Sequence, residues 1–160
     1  LAFAEIKMAK KTLRAQCLTE IQKLARISAA NSNGYAQCVS CDPKDMGGWH
    51  HWKDGDGGHF IPKGSSSYWA LEICNVHFQC KGCNGFGMKH GSAEAWYTLW
   101  MQDFYGHDFV EKMLRDKGKE KKLYAADYRE MLANFKALIK HHEERIAMAF
   151  SESDDEYESV

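Results

Sequence analysis

The stretch "GHFIPKGSSSYWALEICNVHFQCKGCN", Gly58 to Asn84, decides how this chain is read. It holds two histidines, three cysteines and two asparagines with almost no hydrophobic periodicity, so neither an amphipathic helix nor an alternating strand accounts for it as a whole. A second cysteine pair, "CVSC" at Cys38 and Cys41, precedes its "CKGC" at Cys80 and Cys83 by about 38 residues. In each pair two thiolates stand a knuckle apart, the spacing at which a tight turn lets both sulfurs reach one tetrahedral zinc. Cys38, Cys41, Cys80 and Cys83 together make one complete four-cysteine site. The interval between the pairs exceeds that of a zinc ribbon, so the ion is expected to clamp the base of an inserted loop. Cys17 and Cys74 fall outside the pairs and are expected to be core thiols.

The surrounding composition agrees. Ten of the thirteen glycines and both prolines, Pro43 and Pro62, fall in the sixty residues after Gly34, which argues for loops and short strands. Structural zinc contributes about 10–16 kcal/mol in model peptides, enough to hold a segment that packing cannot. At 160 residues, with 44% apolar residues and five tryptophans, the chain suits one domain with a core of its own. It has neither an apolar run of about 18 residues nor a charged-then-apolar leader, so we expect no membrane span and a cytoplasmic protein. In that reducing compartment six cysteines read better as metal ligands than as disulfides.

The net charge of −1 is unevenly spread. Residues 1–30 carry Lys7, Lys10, Lys11, Arg14, Lys23 and Arg26 against Glu5 and Glu20, while "SESDDEYESV" carries five acids and no base. The body is therefore mildly basic and suited to a polyanion, although a lysine-rich helix face is as often simply solvated.

Residues 1–34 read as a basic amphipathic helix, with Ile6, Leu13, Cys17, Ile21 and Leu24 at three- and four-residue steps. Helical pattern resumes over residues 92–150. In "SAEAWYTLWMQDFYG", Ser92 is the expected N-cap and Trp96, Leu99, Trp100 and Phe104 the expected apolar face. A shorter helix follows Asp108. The last helix carries Tyr128, Met131, Leu132, Phe135, Leu138, Ile139 and Ile146 on one stripe, with Asp127 and Glu130 spaced like a capping box. Residues 151–160 are expected to be a disordered acidic tail.

Residues 35–91 carry the chemistry. A histidine near the end of a short strand (His59), an asparagine sixteen residues on (Asn75) and an asparagine directly after a C-x-x-C (Asn84) resemble the zinc-bearing branch of the HNH, or His-Me finger, nucleases. More narrowly, a C-x-x-C, then G-H-[FY], then N-x-H-x-Q-C-x-x-C-N, preceded by a basic helix, resembles the phage NinG (Rap) recombination proteins over roughly Gln16 to Gly91. The resemblance implies an α+β fold in which a small zinc-clamped ββα-metal unit is flanked by N-terminal and C-terminal helices. It implies a metal-dependent DNA endonuclease acting on branched recombination intermediates such as Holliday junctions and D-loops, in the cytoplasm of a bacterial host.

In that reading His59 is the general base, Asn84 a hard-oxygen ligand of a catalytic Mg²⁺ or Mn²⁺ ion, and Asn75 the residue that ties the ββ loop and orients the histidine. Many such enzymes carry a metal-binding Asp or His directly before the base, where this chain has Gly58. Asp56 and His90 are the substitute ligands considered. The competing reading is a non-catalytic zinc module for nucleic acid or a protein partner. A thiol-disulfide enzyme is disfavoured because no βαβ setting surrounds the C-x-x-C pairs.

Of the remaining histidines, His77 reads as structural or as a support for the site in preference to a catalytic residue, His50 and His51 as lining a groove or occupying a loop, and His141 and His142 as surface residues. Lys63 and the "GSSS" after it form a donor-rich loop suited to phosphates, or a plain linker. Symmetric cutting of a junction needs two active sites, which a homodimer supplies. The apolar faces of the terminal helices serve that interface or pack within their own subunit.

Overall fold

The computed structural model describes residues 11–157, of which 153–157 by backbone alone. Helix α1 spans Leu13–Ser28 and starts at Thr12, whose hydroxyl accepts from the Ala15 N–H at 3.2 Å. Cys17, Ile21, Leu24, Ala25 and Ile27 form its buried stripe. Ile6, with the basic and acidic residues before Lys11, lies outside the described residues.

Two short antiparallel hairpins follow. Strands β1 (Tyr35–Gln37) and β2 (Trp49–His51) pair with Tyr35 opposite His51. Strands β3 (Asp56–His59) and β4 (Val76–Gln79) pair with Gly58 opposite His77 and His59 opposite Val76. After β4 and the second cysteine pair, a π-helical turn at Cys83–Gly87 runs into α2 (Met88–His90). The chain is thus strand, long loop, strand, knuckle and short helix in that order, a mixed α+β arrangement.

Three further helices complete the fold: α3 (Ala93–Tyr105), α4 (His107–Arg115) and α5 (Ala125–Tyr157). Helix α5 starts as its sequence suggests but with different partners: Asp127 Oδ2 reaches back to the Tyr124 N–H at 2.7 Å, which is half of a capping box. It runs seven residues past Phe150, so the acidic segment is helical to Tyr157 where disorder was expected. Residues 158–160 lie outside the described residues.

The apolar faces of α1 and α5 meet each other. Cys17, Ile21 and Leu24 pack in one buried cluster with Phe135, Ile139, Trp52, Leu71 and Val76, flanked by Tyr128, Met131, Leu132 and Ile146. Each fully buried large side chain of this kind contributes about 1.5–3 kcal/mol. Of the two alternatives for the terminal helices, packing within the subunit is the one observed. Arg145 adds a polar tie, its guanidinium donating to the Ala30 carbonyl at 2.9 Å just past the end of α1.

The second cluster corrects the expected face of α3 in part, since Trp100 of that face does pack against it, half-buried. Ala93, Tyr97 and Met101 are buried, with Val39, Phe60, Ile61, Trp69, Val110 and Met113 against the latter two. Leu99 and Phe104 are 55% and 66% exposed. Ser92 occupies the cap position without a side-chain capping bond. The polar loop after β3 is also less free than its composition suggests. Ser66 is buried and donates to the Lys119 carbonyl, and the Ser67 hydroxyl accepts from the Lys121 N–H at 2.8 Å. Those hydroxyls hold the segment between α4 and α5 rather than standing free for phosphate. No helix of the described residues is long and apolar enough to cross a membrane.

Candidate functional site

Two backbone junctions bring the cysteines together. Cys38 follows β1 and Cys80 follows β4, and the Val39 N–H donates to the Phe78 carbonyl at 3.1 Å, so both knuckles leave neighbouring strands side by side. All four Sγ atoms lie within 4.8 Å of one another. Cys41 Sγ is 3.8 Å from Cys80 Sγ and 3.7 Å from Cys83 Sγ. A tetrahedron with Zn–S bonds of about 2.3 Å has edges of about 3.8 Å, so the spacing fits that ion. The Ser40 N–H donates to Cys38 Sγ at 3.4 Å and so orients that sulfur.

Electrostatics point the same way. In the bare site, burial and then the charge of Cys38 push the Cys41 thiol up to about 12, and the same two causes push Cys83 up as well. Four thiols this close resist ionising together, and a divalent cation removes that resistance. Among the described residues these four are the only group of three or more His, Cys, Asp or Glu side chains placed to hold a metal. Cys17 is a core thiol, buried with Sγ on the Tyr128 carbonyl at 3.3 Å. Cys74 packs half-buried beside the second cluster, its pKa raised by burial.

His59 closes strand β3. Its Nε2 lies 2.9 Å from the Ala70 carbonyl oxygen. Burial holds its pKa below the usual histidine range, opposed by the Ala70 bond and aided by the nearby charges of Lys63 and Arg14. The imidazole is therefore neutral at neutral pH, with Nδ1 free to accept a proton.

Asn75 is wholly buried at the far end of the loop between β3 and β4. Its Oδ1 accepts from the Ile61 N–H at 2.7 Å, and its Nδ2 donates to the Ile61 and Trp69 carbonyls at 2.9 and 3.0 Å. One side chain thus ties the two ends of a loop that also carries Ala70, the partner of His59.

Asn84 follows the second knuckle, and its Nδ2 donates to Asp56 Oδ2 at 3.1 Å. The other Asp56 oxygen meets Lys81 Nζ at 3.1 Å. Asp56 and Asn84 line an open cleft of about 320 Å³ together with Arg26, Lys53 and Lys81. His90 does not join them. It is exposed at the end of α2 with its ring 4.8 Å from that of Phe86, and among the described residues His59, Asp56 and His90 form no common ligand group.

The match of a family model, described as Bacteriophage Lambda NinG protein, extends over residues 4–145. The chain belongs to the NinG family. No curated protein and no solved structure matches it. Within this NinG-family chain the match spans the helices on both sides of the cysteine and histidine segment, more of the chain than the motifs alone covered.

Several residues at the site carry no signal in the sequence. Tyr97 Oη donates to the Gly58 carbonyl at 2.8 Å, one residue before His59. His77 Nδ1 stands 2.9 Å from Tyr97 Oη and its Nε2 2.9 Å from Tyr105 Oη. Since the Tyr97 proton goes to Gly58, His77 Nδ1–H donates to Tyr97 and Tyr105 donates to Nε2. Burial lowers the pKa of His77 to about 4, so this chain of donors is built on a neutral ring that ties α3 to β3 and β4. His50 and His51 lie on strand β2 where a groove or loop position was expected, His51 at its end, edge-on to Tyr35 and accepting from the Lys53 N–H at 3.3 Å. His141 is exposed, while His142 is half-buried against Arg145.

Proposed function

We propose that this chain is a metal-dependent endonuclease that hydrolyses phosphodiester bonds in DNA. One observation carries the reading: His59, a neutral imidazole aimed by a backbone carbonyl, stands on the strand that also bears Asp56, whose carboxylate holds the knuckle residue Asn84. In this reading the strand, loop, strand, knuckle and helix are a ββα-metal unit. His59 Nδ1 takes the proton of the attacking water. Asn84, on the cleft wall with Asp56, would hold a Mg²⁺ or Mn²⁺ ion, which supplies positive charge to the leaving oxygen when bound. Arg26, Lys53 and Lys81 in the cleft, and Arg14 and Lys63 beside His59, supply contacts for the neighbouring phosphates.

Membership in a phage family that resembles recombination proteins supports branched DNA, Holliday junctions or D-loops, as the substrate. Symmetric cutting would use a homodimer whose interface lies away from the α1 and α5 faces already packed together. The experiment is cleavage of a synthetic four-way junction against linear duplex of the same sequence, in Mg²⁺ or Mn²⁺ and again with EDTA. EDTA-sensitive cutting that favours the junction is expected. The absence of any cutting would favour the second reading, a non-catalytic zinc-stabilised module for nucleic acid or a protein partner, for which Gly58 speaks because it brings no carboxylate beside His59.

A further inference from the structure

Gly58 is where a side chain is missing, and the structure has put another one there. A Cβ on Gly58 would lie 1.6 Å from Gln79 Oε1, 2.5 Å from Gln79 Cδ and 2.9 Å from Asn84 Oδ1. The carboxamide of Gln79, reaching across from β4, therefore fills the volume that a residue-58 side chain would enter. Gln79 is wholly buried. Its Nε2 donates to Ser40 Oγ at 2.6 Å, while its Oε1 is the one buried side-chain polar atom among the described residues with no hydrogen-bond partner.

The orientation of Asn84 sharpens this. Its Nδ2 is committed to the Asp56 carboxylate, so its Oδ1 is turned the other way, to the same point beside Gly58. Two carboxamide oxygens converge there without a donor between them. A buried acceptor left without a partner is costly, and one that converges with a second carboxamide oxygen suits a hard cation, which oxygen ligands of this kind bind. Asp56, with both oxygens engaged, positions Asn84 and adds negative charge close by.

We propose that Gln79 Oε1 and Asn84 Oδ1 are ligands of one hard divalent cation, Gln79 supplying from β4 the oxygen that other chains would bring on residue 58. The purpose of that ion rests on the nuclease reading, but its binding is measured separately. Mn²⁺ is titrated into the zinc-loaded full chain and free Mn²⁺ followed by electron paramagnetic resonance, with zinc content and circular dichroism checked for every variant.

The wild type should take up one Mn²⁺ beyond its zinc. Gln79→Ala should weaken that uptake by at least about tenfold, the scale of loss when a metal site loses a supporting group. Gln79→Glu should keep or tighten it. Gly58→Asp alone should not fit against Gln79, whereas Gly58→Asp combined with Gln79→Ala should restore binding to near the wild-type level. A Gln79→Ala protein that binds Mn²⁺ like wild type overturns the assignment. So does a Gln79→Glu protein that is destabilised and loses Mn²⁺, since this means that the amide is turned over and donates to Asn84. If Gln79→Ala fails to fold, the glutamate and the double variant decide by the same criteria. Mn²⁺ binding that depends on Gln79 without any DNA cleavage would leave the cation site standing and sink the nuclease reading. Cleavage with Mn²⁺ binding indifferent to Gln79 would do the reverse.

Discussion

His59 Nε2 lies 2.9 Å from the carbonyl oxygen of Ala70. A carbonyl only accepts, so the ring proton sits on Nε2 and Nδ1 presents a lone pair. The protein thereby selects the tautomer and aims the basic nitrogen with backbone atoms, which no side-chain substitution at residue 70 removes.

His59→Ala should leave zinc content and circular dichroism close to wild type and cut DNA cleavage by about 10²–10⁴-fold, the range for loss of a general base. Added Mn²⁺ should not restore it, because an ion does not replace a proton acceptor. Burial holds the His59 pKa below the usual range, so the wild-type rate should fall on acidification at a lower pH than an ordinary histidine base would give. Wild-type cleavage rates in His59→Ala would remove this residue from the chemistry.

The buried ring of His77 makes stability depend on pH. Its folded pKa of about 4 lies below the unfolded value, so the unfolded chain takes up the proton first as pH falls. The contribution is fully present above about pH 6.5 and is lost toward pH 4, by roughly 3 kcal/mol. Urea unfolding of wild type against His77→Gln at pH 7 and pH 4.5 checks this: the gap between the two proteins should narrow at the lower pH. A constant gap would mean that the ring titrates normally.

Asn75→Ala removes three hydrogen bonds from a site without water access. It should destabilise the fold by about 3 kcal/mol, the penalty for stranding buried backbone groups. It should also slow cleavage, because the loop it ties carries Ala70. Chemical denaturation measures the first effect, and an unchanged midpoint would show that the loop is held by other means.

One zinc per chain should be found by elemental analysis, and Cys80→Ser should release it. Because such an ion would join the knuckles after β1 and β4, where few apolar side chains meet, with Ala36 and Phe78 the buried non-cysteine residues there, its loss should unfold the hairpin segment and lower the melting temperature, beyond any effect on activity. A Cys80→Ser protein with a native melting curve would exclude the clamp.

Cys38, Cys41, Cys80 and Cys83 were legible because their chemistry needs only a short local spacing, and each C-x-x-C makes its own turn. The buried stripes of α1 and α5 were legible for a similar reason, since a three- and four-residue period writes one face of a helix directly into the chain, although Leu138, expected on the α5 stripe, is exposed. His59, Asn75 and Asn84 were readable as a motif. Their partners were not: Ala70 acts through its backbone, and Tyr97 and Tyr105 reach His77 from a helix twenty and more residues away. The face of α3 was misread in part: Trp100 does pack beside the second cluster, but bulk also suggested Leu99 and Phe104, which are exposed, while the space left by Val39, Phe60 and Trp69 selects Tyr97 and Met101. Gln79 is the sharpest case. The sequence by itself determined that residue 58 has no side chain and that a glutamine precedes Cys80, but only the pairing of β3 with β4 decided that the glutamine fills the glycine's volume. Local spacing encodes what one turn can do, and the meeting of two strands depends on every residue between them.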